Sequence, residues 1–165
     1  MDIELQQKLA QIVRTHRAAA LGTIRNGAPI VTMVAYAVAD DFSAFYVLTS
    51  HLSQHAQDMQ KDQHVSLLIA ETDDGREDVH GLARISIRGK AETLPFGAPG
   101  YTVARNLYLA RFPKSEPNFE LGDFDLWCIT PRGARYIAGF ARAFNLTPDA
   151  IQEAAAANPS GTLQT

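Results

Sequence analysis

The spacing of apolar positions changes along the chain and separates helical segments from strands. Over residues 2–15 the apolar positions recur at helical spacing, and acidic residues stand at the start, where the helix dipole favours anions. The pattern therefore predicts an amphipathic helix. After residue 17, apolar residues gather into short β-forming runs separated by turn residues. These runs predict strands over residues 18–24, 29–38, 44–48, 64–70, 83–93, 124–130 and 135–140.

A helix is predicted immediately after the third strand. Leu52, Ala56 and Met59 fall on one helical face. Thr49 or Ser50 is placed to act as the N-cap of this helix. The change of period within a few residues puts a helix N-terminus directly at the end of a strand.

Turn and cap signals indicate the remaining elements. Residues 102–111 predict a helix, and Thr147 is placed to cap a short terminal helix. The Pro-Arg-Gly sequence at 131–133 predicts the turn of a last hairpin. Residues 71–81 predict an exposed polar loop, and the last eight residues are expected to fray.

Consecutive strands joined by tight turns favour an antiparallel sheet. Six to seven such strands on a chain of 165 residues suggest a small closed barrel with flanking helices, which also removes exposed strand edges. The sequence contains no internal repeat and no linker. We therefore expect one mainly β domain over residues 1–165.

The composition is that of a globular protein, with 46% apolar residues and a formal net charge of -3. No long basic run predicts a nucleic-acid partner, and no apolar stretch approaches the roughly 20 residues that span a bilayer. Cys128 is the single cysteine, which excludes an intramolecular disulfide. The N-terminal residues include an early acid and no apolar core of a secretory signal. We expect a cytoplasmic protein.

The most informative chemistry lies where the third strand meets the next helix, at residues 49–55, called here the strand-to-helix junction. Thr49 and Ser50 end the strand, and Ser53, Gln54 and His55 open the helix. A helix N-terminus offers free N–H groups and partial positive charge, so these residues fit a phosphate. The alternative is that the hydroxyls only cap the helix.

The chain resembles the pyridoxamine 5'-phosphate oxidase-related family of FMN-binding split barrels over about residues 17–145. The matching segments are Leu21-Gly22-Thr23, Gly27-x-Pro29, Phe45-Tyr46, Thr49-Ser50-His51-Leu52-Ser53-x-His55, Asp62-x-x-Val65-Ser66-Leu67 and residues 84–92. Motifs at 108–113, 123–127 and 139–143 resemble the haem-utilisation-related branch of that family. The resemblance implies a split β-barrel fold.

The resemblance also implies a cofactor site. Thr49, Ser53 and His55 occupy positions that bind the FMN phosphate in the family. The oxidases that give the family its name have an Arg-Lys pair where this chain has Gln54 and His55, which lowers the positive charge here. Arg84 occupies a position whose side chain faces the flavin.

A strand segment completes the implied site. Thr32, Met33 and Val34 would lie along the flavin ring by their backbone, as in relatives. Relatives hold FMN at a subunit interface, so we expect a homodimer.

Three functions remain open at this point. The first is an FMN-dependent oxidoreductase of unknown substrate. The second is a haem-binding or haem-degrading protein, which the branch resemblance suggests. The third is a cofactor-binding module without turnover.

Other chemically capable residues have simpler interpretations. The histidines lack the spacing and carboxylate partners of a metal site, so no metal is expected. Trp127 is either a core residue, the favoured interpretation, or a cover for the flavin. Cys128 is expected to be a buried small hydrophobe. On the strand after residue 83, alternation sends Ile85 and Ile87 to one face and Arg84 to the other, the expected cofactor side.

Overall fold

The long strands alternate buried and more exposed side chains, so one face of the sheet is apolar. The curled sheet encloses that face as a single apolar interior. The computed structural model describes residues 1–157. The strands are β1 (Ala18–Arg25), β2 (Ala28–Ala35), β3 (Ala37–Val38), β4 (Phe45–Ser50), β5 (His64–Ala70), β6 (Arg84–Thr93), β7 (Phe124–Ile137) and β8 (Ala143–Leu146). The α-helices are α1 (Ile3–Thr15), α2 (Gln54–Lys61), α3 (Tyr101–Arg111), α4 (Glu116–Glu120) and α5 (Pro148–Ala156).

Seven strands form one antiparallel sheet in the order β2-β1-β5-β6-β7-β4-β3, and β8 pairs with β7. The sheet curls far enough that β2 and β4, which are not neighbours in that order, come into contact. This half-barrel with flanking helices is the split-barrel architecture that the sequence predicted. Because β2 lies at the end of the order, one of its edges is not paired within the sheet.

The interior is a single cluster of apolar side chains from the sheet and from α1, α2 and α5. Ile85 and Ile87 are fully buried, as their alternation predicted. Trp127 is 2% exposed and belongs to this core, so the favoured interpretation of Trp127 is confirmed. Cys128 is only half-buried, because it lies on the opposite face of β7 from Trp127.

The predicted hairpin at 131–133 is wrong, because these residues belong to one long strand, β7. Arg88 of β6 pairs with Gly133 and Gly89 pairs with Pro131, so Arg132 is passed over in the pairing. The turn-like sequence therefore forms a β-bulge inside a strand that has partners on both sides. The last hairpin instead joins β7 to β8, a strand that the pattern did not predict.

The helix after β4 begins later than predicted. Ser53, not Thr49 or Ser50, is its N-cap and accepts a hydrogen bond from the amide of Ala56 at 3.4 Å. Leu52 lies before the helix and is 82% exposed, because the chain makes a turn between Ser50 and Ser53. Ala56 and Met59 are fully buried as predicted.

The single strand predicted over residues 29–38 is wrong, because the chain breaks at Tyr36 into β2, which pairs with β1, and β3, which pairs with β4. The predicted loop and the last helix cap agree with the structure. Residues 71–81 form a largely exposed loop that ends in a short 3-10 turn, and Thr147 caps α5. The predicted fraying concerns residues 158–165, which lie outside the described residues. Among residues 1–157 no helix combines the length and apolarity needed to cross a bilayer.

Candidate functional site

The strand-to-helix junction begins with a buried hydroxyl that has no partner. Thr49 lies near the end of β4, faces the interior with Val47, and is 4% exposed. Its Oγ1 makes no hydrogen bond to any of residues 1–157. A buried polar atom without a partner costs about 1–3 kcal/mol, so such an atom in a folded protein calls for an explanation.

A tight turn after β4 orients the start of α2. The Ser53 amide donates to the Ser50 carbonyl oxygen at 3.0 Å, and the Ser53 hydroxyl donates to the same oxygen at 2.8 Å. Because the Ser53 hydroxyl also caps α2, its hydrogen-bonding capacity is largely used within the chain. The amides of Gln54 and His55 have no acceptor in the part of the chain that the structure describes.

His55 adds an imidazole to the first turn of α2. It is half-buried, and burial lowers its pKa while the Asp58 carboxylate partly opposes that shift. His55 is therefore neutral near pH 7, where an unperturbed histidine would already be mostly neutral. The positive potential of the strand-to-helix junction consequently comes from backbone N–H groups and the helix dipole.

An ion pair between a partly exposed arginine and a buried carboxylate lies behind α2 and holds the helix against the sheet. Asp58 is 3% exposed and accepts hydrogen bonds from Arg25 Nε and Nη2, both at 2.9 Å, and from the Thr23 hydroxyl at 3.0 Å. The hydrogen bond from Arg25 is the main reason that the pKa of Asp58 lies below its usual range. This arrangement fixes where the N-terminus of α2 points.

A side-chain contact and a backbone hydrogen bond tie the turn itself to β7. His51 Nε2 lies 2.9 Å from Asp125 Oδ2, and the His51 amide donates to the Asp123 carbonyl oxygen at 2.7 Å. Thr49 and Asp125 are directly opposite each other in the β4–β7 pairing. The strand-to-helix junction is therefore anchored on one side by β7 and on the other by β1.

Neither the Arg25–Asp58 ion pair nor the His51–Asp125 contact was predicted. Asp58 is 33 residues from Arg25, and no local pattern in the sequence links two such positions. The one available signal is the polar Asp58 on the buried face of α2 beside Met59, since a carboxylate in that setting requires a partner.

The β2 segment with a predicted role at the flavin has mixed exposure. Thr32 is half-buried, Met33 is 72% exposed, and Val34 is 5% exposed. They lie on the edge strand of the sheet, which approaches β4. Backbone groups on that edge are available to a ligand on the same side of the barrel as β4.

Arg84 is engaged by its own chain. Its Nη1 donates to the carbonyl oxygens of Leu82 at 2.9 Å and His80 at 3.4 Å, which fastens the turn before β6. Ile85 is buried beside it in sequence, so Arg84 does lie on the outer face that alternation predicted. That this face is the cofactor side stays a prediction.

Arg84 and the strand-to-helix junction lie at opposite ends of the sheet. Thr49 pairs with Asp125, and two residues further along β7 Trp127 pairs with Thr93, the last residue of β6. Arg84 is the first residue of β6, so it is separated from Thr93 by roughly 30 Å along the strand. One chain therefore brings together Thr49 to His55 but not Arg84.

The assembled part of the site can bind an anion. It offers one orphaned hydroxyl, two amides without acceptors, and a neutral imidazole within seven consecutive residues. No group of three or more histidine, cysteine or acidic side chains within residues 1–157 is arranged to hold a metal ion.

Comparisons with known proteins agree with this architecture. The profile of the family described as pyridoxamine 5'-phosphate oxidase matches residues 5–138. The chain is 35% identical over 118 residues to the chloroplastic Non-canonical heme oxygenase HOZ of Arabidopsis thaliana, a match that covers 72% of this chain and 34% of HOZ. The chain thus spans about one third of the length of that relative.

Solved structures share the fold. A heme binding protein from Mycobacterium smegmatis superimposes with a TM-score of 0.80 at 21% identity, covering 90% of this chain and 60% of that one. A FAD-binding protein from Mesorhizobium loti gives a TM-score of 0.62 at 17% identity, covering 77% of this chain and 87% of that one. At these identities the similarity establishes the split-barrel fold.

Proposed function

Since this chain belongs to the pyridoxamine 5'-phosphate oxidase family, we propose that it is an FMN-binding flavoprotein that holds the FMN phosphate at the strand-to-helix junction. The main support is the buried Thr49 Oγ1, which has no partner among residues 1–157. A phosphate oxygen at this position would accept the hydrogen bond that the chain itself leaves unmade.

Neighbouring groups add to that support. The amides of Gln54 and His55 would donate to the phosphate at the helix N-terminus, and the His55 imidazole would add a further hydrogen bond. The unpaired edge of β2 at Thr32 to Val34 would run along the flavin ring. When bound, FMN would supply the redox chemistry, and the protein would set its orientation and surroundings.

We propose that the working unit is a homodimer with the cofactor at the interface. Arg84 lies too far along β6 to reach the strand-to-helix junction of its own chain, so a second copy would have to supply it. Met33 and Val31 on the edge strand are 72% and 69% exposed, which gives a second copy apolar surface to cover.

Sedimentation tests the dimer. We expect a species of twice 18.0 kDa at micromolar concentration, and dissociation of that species in the Met33→Asp variant. Phe96→Ser is a matched control, because Phe96 is 90% exposed on the loop after β6 and lies outside the proposed interface. A monomer at 18.0 kDa in the unaltered protein would contradict the proposal.

Extraction of the cofactor tests the proposed ligand. The protein is purified aerobically, and the small molecules released on denaturation are identified by mass analysis. We expect FMN, together with a yellow colour and flavin absorption bands. Cofactor-free protein is then titrated with FMN and with riboflavin, and we expect FMN to bind more tightly. Equal binding of the two flavins would contradict a phosphate site.

Haem binding is the second candidate, and the relation to HOZ favours it. A Soret band on addition of haem to cofactor-free protein, with saturation at one haem per chain or per dimer, would support this function. If the protein binds FMN but turns over no reductant, the third function, a cofactor-binding module without turnover, would be supported instead.

We further propose a cytoplasmic location, which the single Cys128 and the absence of any possible intramolecular disulfide support.

A further inference from the structure

A cleft beside the C-terminal end of α3, called here the α3 cleft, lies apart from the strand-to-helix junction. It measures ≈ 350 Å³ and is formed by the last turns of α1 and α3, by β3 and by the residues that follow β3. Its apolar wall includes Val38, Leu107 and Ala110, and its charged residues are Arg14, Asp40 and Arg111.

The α3 cleft is separate from the surface that the proposed homodimer would cover. That surface lies on β2, where Val31 and Met33 are exposed. The cleft takes no residue from β2 or from the strand-to-helix junction. β3 stands at the other end of the strand order from β2, and the fully buried Tyr36 divides the two strands along the chain. Because α3 of the same chain contacts β3 and β4, one chain forms the whole cleft.

Arg111, the last residue of α3, is a half-buried cation without a carboxylate partner. Its Nη2 donates to the His16 carbonyl oxygen, and its guanidinium carbon lies 5.3 Å from the centre of the Tyr36 ring. Its Nε is buried and has no acceptor within residues 1–157. None of the ion pairs in that part of the chain includes Arg111. A partly buried cation that no anion matches is unfavourable, so this one calls for an explanation.

A second arginine increases the need for an anion at Arg111. Burial lowers the pKa of Arg111, and the charge of Arg17 lowers it further, whereas Tyr36 opposes these shifts. Arg17 is held nearby, because its Nη2 donates to the Arg111 carbonyl oxygen at 3.2 Å. Arg111 stays charged near pH 7, since arginine keeps its proton in proteins. An anion in the α3 cleft would therefore offset both the burial of the guanidinium and the repulsion from Arg17.

The other charged residues of the cleft indicate which anion fits. Arg14 Nη2 donates to the carbonyl oxygens of Ala155 at 2.9 Å and Asp40 at 3.2 Å. Burial lowers the pKa of Arg14, and the Asp40 carboxylate opposes that shift, so this carboxylate acts on the same cleft. The two guanidinium groups and one carboxylate of the lining leave one positive charge. A monoanion neutralises that charge, whereas a phosphate dianion would exceed it.

We propose that the α3 cleft is a second ligand site, which takes a small molecule with an apolar body and one carboxylate head. The head contacts the Arg111 guanidinium, because the fork of an arginine matches the two oxygens of a carboxylate. The body lies against Val38, Leu107 and Ala110. A cleft of this volume accommodates such a molecule. The site is independent of the proposed FMN function, so either can fail while the other stands.

The test follows amide chemical shifts in ¹⁵N-labelled protein as purified, in the oligomeric state that sedimentation finds. The probes are 3-phenylpropionate, its neutral analogue 3-phenylpropanol, and acetate, which has the head without the body. We expect 3-phenylpropionate to shift the amides of Val38, Leu107 and Ala110 in a saturable manner. The alcohol and acetate should each bind about 10-fold more weakly or worse. No saturable shift with 3-phenylpropionate, or equal binding of the alcohol, would overturn the proposal.

Two arginines of α3 distinguish a specific effect from a general one. Arg111→Gln should weaken binding of 3-phenylpropionate by about 10-fold, because the head loses its charged donor. Arg105→Gln is the matched control, since Arg105 also lies over an aromatic ring, that of Phe119, but does not line the cleft. Unchanged binding by folded Arg111→Gln protein, or equal weakening in both variants, would count against the site.

The opposite effect is expected at Asp40, which keeps the test decisive even if Arg111→Gln does not fold. Asp40 is exposed, and Asp40→Asn removes the negative charge that opposes the ligand, so 3-phenylpropionate should bind several-fold more tightly. Asp73→Asn, the same change in the exposed loop at 71–81, should leave the affinity unchanged. The Met33→Asp protein should bind the probe as the unaltered protein does. No gain in Asp40→Asn, or tighter binding once Met33→Asp removes a covering copy, would refute the proposal.

Discussion

The strand-to-helix junction and the Arg84 end of β6 were both predicted to contact the cofactor, but the fold treats them differently. At the strand-to-helix junction, neighbours in sequence converge and leave one hydroxyl and two amides without partners. At the other end of the sheet, the Arg84 guanidinium donates hydrogen bonds to the carbonyl oxygens of Leu82 and His80. The first region leaves polar groups without partners, and the second uses its polar groups to close a turn.

The difference shows how far one chain can assemble this site. Donors that are close in sequence are brought together by one turn and one helix N-terminus. Their placement does not depend on the lengths or directions of the other strands. A residue such as Arg84 depends on strand direction and length, which separate it from the strand-to-helix junction by most of β6. The single chain therefore assembles only the half of the proposed site at the strand-to-helix junction, and under the proposed function a second copy would supply the remainder.

The largest effect is expected where the strand-to-helix junction is anchored. Replacing Arg25 leaves the buried Asp58 carboxylate without its partly exposed cation, so Arg25→Met should lower the free energy of unfolding more than the other substitutions do. Urea unfolding measures this change. The double variant Arg25→Met/Asp58→Leu should recover much of the loss, because it removes the buried charge as well. Equal stability of both variants would contradict a paired buried charge.

The same pair predicts an acid-sensitive contribution to stability. The folded pKa of Asp58 is lower than its unfolded value of about 4, so the stabilisation is present above that pH. It is lost as the pH falls through the lowered folded pKa. The stability difference between the unaltered protein and Arg25→Met should therefore shrink in acid.

The next effect concerns affinity at the strand-to-helix junction. Ser53→Ala/His55→Ala removes the cap hydroxyl and the imidazole but leaves the backbone amides, so FMN affinity should fall by about 30-fold, or about 2 kcal/mol. Riboflavin has no phosphate to lose and should bind almost as before. Flavin fluorescence titrations measure both ligands. Equal weakening of the two would indicate general damage to α2.

A smaller, pH-dependent effect is expected from His55. Burial lowers its pKa, so the imidazole is neutral near pH 7 and becomes a cation only as the pH falls through that lowered value. FMN affinity of the unaltered protein relative to His55→Ala should therefore rise several-fold between about pH 8 and about pH 5.5. Because both proteins bind the same ligand, the ratio of their FMN affinities removes the effect that protonation of the phosphate has on both. A constant ratio across this range would place the imidazole away from the phosphate.

The smallest effect is expected at the other end of β6. Arg84→Met removes one exposed and one part-buried hydrogen bond to carbonyl oxygens, so the free energy of unfolding should change by about 1 kcal/mol. FMN binding of the dimer should weaken in this variant if a second copy supplies Arg84. Unchanged FMN affinity would remove Arg84 from the site and sharpen the contrast with the strand-to-helix junction.

Local patterns predicted what local physics determines. The alternation in β6 placed Ile85 and Ile87 in the core, and the polar start after β4 indicated a helix N-terminus. The Pro-Arg-Gly sequence at 131–133 was misassigned because a bulge and a hairpin turn use the same residue types, and only the neighbouring strands distinguish them. The Arg25–Asp58 pair was beyond prediction, since its partners meet only when α2 packs on β1.

The environment of the Thr49 hydroxyl could also be predicted only in part from the sequence. Its position at a strand end was visible, but its burial without a partner depends on the side chains that surround the interior end of β4. That property is what the proposed phosphate site rests on.

The substitution Thr49→Val tests the central claim most directly, because valine has nearly the same shape and lacks the hydroxyl. If Oγ1 serves a bound phosphate, the variant should unfold no more easily than the unaltered protein, since it loses an unsatisfied buried polar atom. Its FMN affinity should fall by about 10-fold while riboflavin affinity stays the same. Undiminished FMN affinity in a folded Thr49→Val protein would contradict phosphate binding at the strand-to-helix junction.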